Sequence, residues 1–345
     1  MLSRIAEYHF WMGRYIERAE NTARMVLDNY QTQLDAKEDE TRWGLILDIF
    51  GEGEEYQKRY SEEIIAGKVE QFLTLDLTNR SSILSCITQA RENARGIRDQ
   101  ISSEVWLTLN RLYLDLRQLQ WEGLGDAKAI DFYEKVKESA QLIHGLLHNT
   151  LLHGAGWNFI RTGRFIERAA LVVRLLQIRY QAYNPEGIDR PNNIQQWYSV
   201  LRSVSAFEVY CKLHHATVTP RNVVGLLVFH PQFPHSLHYA AAHLYRSLGA
   251  IHKDRMFTGM AGTPNDEALR LAGKLLSNLE YGSLDEVYEM GVVAYLKDFE
   301  QKLYPISNLI NQQYFWSQQP LNTTPAPTIQ VQKTLQSLPA KALQV

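Results

Sequence analysis

Two seven-residue segments carry the most legible chemistry in this chain. They are Gly13-Arg14-Tyr15-Ile16-Glu17-Arg18-Ala19 and Gly163-Arg164-Phe165-Ile166-Glu167-Arg168-Ala169. The offset is 150 residues, from 13 to 163. At the same offset Arg24 aligns with Arg174, and Tyr30-Gln31 with Tyr180-Gln181. A repeat of this length and register points to an internal duplication. Residues three and four apart share a helix face. Arg14, Glu17, Asn21 and Arg24 then form a polar stripe beside the apolar line Met12, Ile16, Ala19 and Ala23. Arg164, Glu167 and Arg174 repeat that stripe, with Leu171 replacing the asparagine and Ala170 standing where the first copy has Glu20.

Two kinds of chemistry suit these residues. Guanidinium forks pair bidentately with carboxylates and can fix how two helices meet. Alternatively, Arg14, Arg24, Arg164 and Arg174 hold an anionic group, while Glu17 and Glu167 orient an amine or move a proton as the candidate catalytic residues. Either use requires contact between the segments, because buried charge is costly unless paired. Gly13 and Gly163 are unfavourable inside a helix, so a glycine in both copies suggests close approach of another backbone or a ligand.

A second polar cluster, Arg91-Glu92-Asn93-Ala94-Arg95-Gly96-Ile97-Arg98-Asp99, leads into Ser102-Ser103-Glu104-Val105-Trp106. Arg95 and Arg98 join the candidate binding residues, because Arg91, Arg95, Arg98 and Ser102 can share a helix face. His144 and His148 are four apart, and His235 and His238 three apart. Such spacing can serve zinc, but without an HExxH or Glu-x-x-His partner these read as ordinary histidines and no metal is expected. Cys86 and Cys211 have no CxxC partner and read as inert thiols.

These residues need long helices to position them. The first of 11 prolines is Pro185, and proline breaks a helix interior. Ile5, His9, Met12, Ile16, Ala19, Ala23, Val26 and Tyr30 line one face of a helix from about Leu2 to Leu34. Further helices are expected near 78–121, 127–153, 157–183, 191–215, 220–229, 234–252, 264–280 and 283–316. Breaks are expected at Gly51-Glu52-Gly53, Gly123-Leu124-Gly125 and Gly154-Ala155-Gly156, with helix starts at Thr219-Pro220 and Phe233-Pro234. The fold class is therefore all-α, a helical bundle with an internal duplication. Residues 1–154 make one helical half and 155–316 a second packed on it. Residues 317–345 lack periodicity and read as a disordered tail.

Composition is that of a globular protein, 45% hydrophobic and 21% charged. A net charge of -2 gives no reason to expect nucleic-acid binding. There is no apolar run suited to a signal peptide or a membrane span, so a cytoplasmic location is expected.

The opening Gly-Arg-Tyr-Ile-Glu-Arg-Ala-Glu-Asn-Thr-Ala-Arg resembles the bacterial alpha-E domain family. So do Ala90-Arg91-Glu92-Asn93-Ala94-Arg95 with Ser102-Ser103-Glu104-Val105-Trp106, the second Gly-Arg-Phe-Ile-Glu-Arg-Ala, and Phe233-Pro234-His235-Ser236. The matches run from residue 1 to about 315. His235 departs from the arginine expected between the proline and serine. The resemblance implies an all-helical protein encoded beside, or fused to, a circularly permuted ATP-grasp ligase, with a part in ATP-dependent amide or peptide-bond metabolism. The expected partners are that ligase and a peptide-like or anionic small molecule. No Gly-rich phosphate loop is present, so no cofactor is expected in this chain. Three roles stay open: an accessory or substrate-binding protein, an enzyme acting on acyl or amide groups, and a helical scaffold.

Overall fold

The computed structural model describes residues 3–33, 39–60, 63–119, 126–183, 194–214, 217–257 and 266–315. Among them the chain forms helices and no strand. In order these are α1 (Ser3–Gln33), α2 (Asp39–Phe50), α3 (Gly53–Tyr60), α4 (Ala66–Thr74), α5 (Ile83–Gly96), α6 (Ser103–Gln118), α7 (Asp126–Thr150) and α8 (Ala155–Tyr183). They continue as α9 (Ile194–Ser203), α10 (Phe207–His214), α11 (Pro220–Phe229), α12 (Leu237–Phe257), α13 (Glu267–Tyr281), α14 (Leu284–Met290) and α15 (Val292–Tyr314). The expected tail at 317–345 and the expected break at Gly123-Leu124-Gly125 lie outside the described residues.

The two longest helices, α1 and α8, pack against each other at the centre. Helices α5 and α7 flank α1, and α12 and α15 flank α8. Helix α2 also packs on α8, and α9 and α15 reach α1. Met12, Ile16, Ala19, Ala23 and Val26 are fully buried, as their spacing predicts. Each large apolar side chain among them contributes roughly 1.5–3 kcal/mol by leaving water. Glu17, Glu20, Asn21, Arg24 and Asp28 are buried too. An amphipathic pattern thus becomes a helix enclosed nearly all round, which requires partners for its polar stripe.

Several expected helices are divided. The 78–121 segment breaks after Gly96 and restarts at Ser103, where the Ser102 hydroxyl accepts from the Val105 amide at 3.3 Å. That N-cap satisfies an otherwise orphaned donor. The 191–215 segment breaks at Ser205, which has a positive φ of 51°. The Ala206 amide donates to the Leu201 carbonyl at 2.7 Å and the Ser205 amide to that of Arg202 at 2.9 Å. This double closure is a Schellman turn, with serine where glycine is usual. Gly291, at φ 87°, separates α14 from α15. Pro220 opens α11 beneath a Thr219 cap as expected, whereas α12 starts at Leu237, with the Ser236 hydroxyl accepting from the Tyr239 amide at 2.9 Å. Pro305 sits inside α15 without ending it. Helices α2, α3 and α4 fill a stretch for which the sequence pattern predicts no helix.

Candidate functional site: the paired Glu/Arg centre

The two motif copies meet where α1 and α8 cross. A Cβ on Gly13 would lie 2.3 Å from the Ile160 carbonyl oxygen, and one on Gly163 would lie 2.2 Å from that of Phe10. Both glycines therefore permit backbone-to-backbone contact, and each copy's glycine meets the other copy's carbonyl three residues before its own glycine. One helical turn further on, the carboxylates are exchanged. Glu17 accepts from Arg168 Nε at 2.6 Å, Arg168 Nη2 at 2.9 Å and Arg164 Nε at 3.0 Å. Glu167 accepts from Arg18 Nε at 2.6 Å, Arg14 Nε at 2.9 Å and Arg18 Nη2 at 3.1 Å. Each glutamate is gripped by both arginines of the opposite copy, one of them as a bidentate fork.

Burial makes these pairs consequential. The Glu17 and Glu167 side chains are 0% and 4% exposed. Burial alone would raise both carboxyl pKa values. Arg168, with His144 and Arg164, nonetheless holds Glu17 well below the carboxylate range. Arg18 and Arg14 likewise overcome burial and bring Glu167 down to about 2. Both are carboxylates at neutral pH, with their oxygens already engaged.

The surroundings of the two glutamates differ. Beside Glu17, Arg24 donates to Glu20 and to the Ser205 hydroxyl. In the second copy Ala170 occupies the place of Glu20, and Arg174 turns to the Ala170 and Phe50 carbonyls, each at 3.3 Å. His144 Nε2 lies 3.5 Å from Glu17 Oε2 and 3.6 Å from Glu20 Oε2. His235 is buried close enough to feel Arg168, Arg24 and Glu17. On this side Glu20 Oε2, Asn21 Nδ2, Arg24 Nε, His144 Nε2 and His235 Nδ1 are buried without a hydrogen-bond partner among the described residues. Glu17, Glu20 and His144 are spaced for a metal ion. However, Glu17 Oε2 already accepts from Arg164 and Arg168, and Arg24, Arg164 and Arg168 outnumber the two carboxylates, so a cation fits poorly.

Of the residues expected to form the site, Arg14, Glu17, Asn21, Arg24, Arg164, Glu167 and Arg174 gather around this crossing. Arg95 and Arg98 do not. Both are exposed, Arg95 pairing with Glu92 at 2.9 Å and Arg98 lying over the Trp106 ring at 5.5 Å. Sequence reasoning passes over Arg18 and Arg168, the bidentate partners. Their signal is nonetheless present, because Arg14 and Arg18 stand four apart on one helix face, as do Arg164 and Arg168. His144 and His235 read as ordinary histidines because their carboxylate and arginine neighbours come from other helices. Cys86 is buried and its thiol pushed up to about 12, chiefly by burial, which leaves it unreactive.

Buried histidines set the pH response. His9, His144 and His235 all have lowered pKa values, with burial the largest cause. A depressed histidine is neutral in the fold and protonates first in the unfolded chain, so stability falls as pH drops below about 6.5. Asp28 and Asp48, raised to about 6 mainly by burial, act oppositely and gain stability over the same range. Between pH 7 and 5.5 the unfolded histidines titrate, so the three depressed histidines lose their neutral-state advantage there, whereas the two aspartates, at about 6 in the fold, deliver only part of their opposing effect. The urea midpoint should therefore fall between pH 7 and pH 5.5, and His235→Gln should reduce the fall. A midpoint equal or higher at pH 5.5 would contradict the dominance of the histidines.

No helix among the described residues is long and apolar enough to cross a membrane. No solved structure matches the chain. An uncharacterized protein of Mycobacterium bovis is 24% identical over 305 residues, covering 81% of this chain and 32% of that protein. Two uncharacterized proteins of Mycobacterium tuberculosis strains match with the same identity and coverage. The chain thus spans 32% of the length of these relatives. The Alpha-E family, described as a predicted alpha-helical domain with a conserved ER motif, matches residues 1–315. The Glu17-Arg18 and Glu167-Arg168 dipeptides supply the two forks of the central clamp, and the chain belongs to the Alpha-E family.

Proposed function

We propose that this protein is an accessory or substrate-binding partner of an ATP-grasp-type amide or peptide ligase. One observation carries the choice of a binding role over an acid–base enzyme. Glu17 and Glu167 are locked by two arginines each, buried and held ionised. A general acid needs its proton near the working pH, and a carboxylate held far below it is also a weak base. The glutamates therefore fasten the two halves together, and the arginines of the centre remain to face a ligand. Arg14, Arg18 and Arg164 keep 12%, 23% and 28% of their side chains exposed. Two considerations support the ligase as partner. The motifs resemble a family linked to circularly permuted ATP-grasp proteins. The matched relatives also carry this region within a chain about three times as long, where it shares the polypeptide with other segments.

Size-exclusion and pull-down measurements with the ATP-grasp ligase of the same genome test the proposal. Co-elution at micromolar concentration is expected, together with a change in ATP turnover when this chain is added. Separate elution at tens of micromolar, with turnover unchanged, would remove the ligase from the proposal. Hydrolysis of an amide by the isolated chain, abolished in Glu17→Gln with the fold retained, would instead establish the enzyme alternative.

A further inference from the structure

Next to the clamp, α8 and α12 gather Arg161, Arg164 and Arg246, and among the described residues only Arg164 of the three has an ion-pair partner, Glu17. Arg161 precedes Arg164 by one turn of α8. Its guanidinium carbon sits 4.4 Å from the centre of the Trp157 ring and 5.5 Å from that of Phe165. Its Nη2 donates to Nδ1 of His243 on α12. His243 is stacked on Phe165 at 4.9 Å and 16°, and its ring centroid is 4.1 Å from that of Tyr239. The ionisable groups that act on Arg161 are Tyr239, Arg164 and Arg246, and no carboxylate is among them. His243 is brought down to about 4 by burial and then by Arg161, Arg246, Arg168 and Arg164, and so stays a neutral acceptor. Glu17 engages Arg164 through Nε at 3.0 Å, and the Arg164 side chain keeps 28% of its surface exposed. Arg246 follows His243 by one turn of α12 and is exposed.

A partly buried guanidinium whose charged neighbours are cations is unfavourable unless an anion completes it. The first motif copy provides an internal comparison. The residue aligned with Arg161 is Trp11, and Arg14 lies 5.0 Å from its ring. An arginine at this position therefore belongs to the second copy alone.

We propose that Arg161, Arg164 and Arg246 form a binding site for a phosphate-bearing small molecule at the α8–α12 junction, flanked by the Trp157 and Tyr239 rings. A phosphate monoester carries roughly two negative charges and three strong acceptor oxygens, which suits three guanidiniums better than a monocarboxylate does. His243 is a positioning residue that orients Arg161. The site stands independently of the ligase reading, because it is tested on the isolated chain.

The experiment titrates inorganic phosphate, and separately acetate, into the full chain at constant ionic strength, followed by calorimetry and by thermal unfolding. Saturable phosphate binding is expected, at least tenfold tighter than acetate, with a rise in melting temperature that follows mass action. Arg161→Gln and Arg246→Gln should each weaken it at least tenfold. Arg221→Gln, which removes an exposed arginine paired with Asp285 on another face, should leave it unchanged. Should Arg161→Gln fail to fold, the exposed Arg246→Gln carries the comparison alone. Phosphate binding that does not saturate, that matches acetate, or that is equal in wild type and Arg246→Gln would overturn the proposal.

Discussion

Glu17→Gln is expected to lower the stability of the protein by about 3–5 kcal/mol, the range for removing one partner of a buried ion pair. The amide keeps the shape of the side chain but removes the charge, leaving Arg164 and Arg168 facing a neutral group. Arg168 suffers most, since its side chain is only 4% exposed and cannot recover its hydration. Glu167→Gln should behave alike, because Arg14 and Arg18 stand in the same relation to it. The pKa of Glu167 supports the magnitude. A fall from 4.5 to about 2 corresponds to about 3 kcal/mol of preference for the ionised form. Its sign fixes the acid response as well. The contribution is present above pH 4.5 and is lost as pH falls towards 2.

Urea midpoints of the single variants, of Arg168→Met and of Glu17→Gln/Arg168→Met measure the clamp directly. The double variant should cost less than the sum of its singles, with a coupling of at least about 1 kcal/mol, since each change removes the other's reason for being charged. Arg164 keeps Glu17 paired in Arg168→Met, so the coupling falls short of the whole interaction. A loss below about 1 kcal/mol in both glutamate variants would show that the pairs do not hold the fold together, and would make the glutamates catalytic candidates again.

The parts of this centre that are legible in sequence are those encoded within one helix. The repeat and its period place Arg14, Glu17, Asn21 and Arg24 on one stripe, and the paired glycines announce a close approach. What sequence alone conceals is the exchange. Glu17 is bound by Arg164 and Arg168, about 150 residues away, while Arg18, one position along the chain, serves the other glutamate. Helical geometry orders residues within α1 and is silent on which of them face α8. The same limit hides His144 and His235, whose charged neighbours come from α1 and α8. Arg95 and Arg98 err in the opposite direction. Arg95 lies on the exposed face of α5, and Arg98 falls beyond its end at Gly96, so both stay at the surface. The helix breaks at Ser102 and Ser205 are likewise invisible to periodicity, because serine caps and a Schellman turn act without glycine or proline.

Gly13→Ala and Gly163→Ala are expected to lower stability by about 2–4 kcal/mol each, despite alanine being the better helix former. Two effects compete. Replacing a helical glycine gains up to about 1 kcal/mol of intrinsic propensity. Against this, the new methyl would lie 2.3 or 2.2 Å from a backbone carbonyl oxygen, well inside the 3.0 Å that Cβ contacts essentially never breach. No flexible side chain can yield at either point, so the two longest helices must part, and overpacking of this kind costs about 1–3 kcal/mol or more. Gly145, inside α7, supplies the control, since a methyl placed there would meet nothing within 4 Å. Gly145→Ala should raise stability by about 0.5–1 kcal/mol, so one chemical change carries opposite signs at two helical sites. The crossing also makes the effects interdependent. Once one methyl has separated α1 from α8, the second costs less, and the Arg–Glu bonds one turn away are already stretched. Glu17→Gln should therefore cost markedly less in the Gly13→Ala background than in the wild type. Equal costs in both backgrounds would mean that the glycine contact and the ion pairs hold the helices independently.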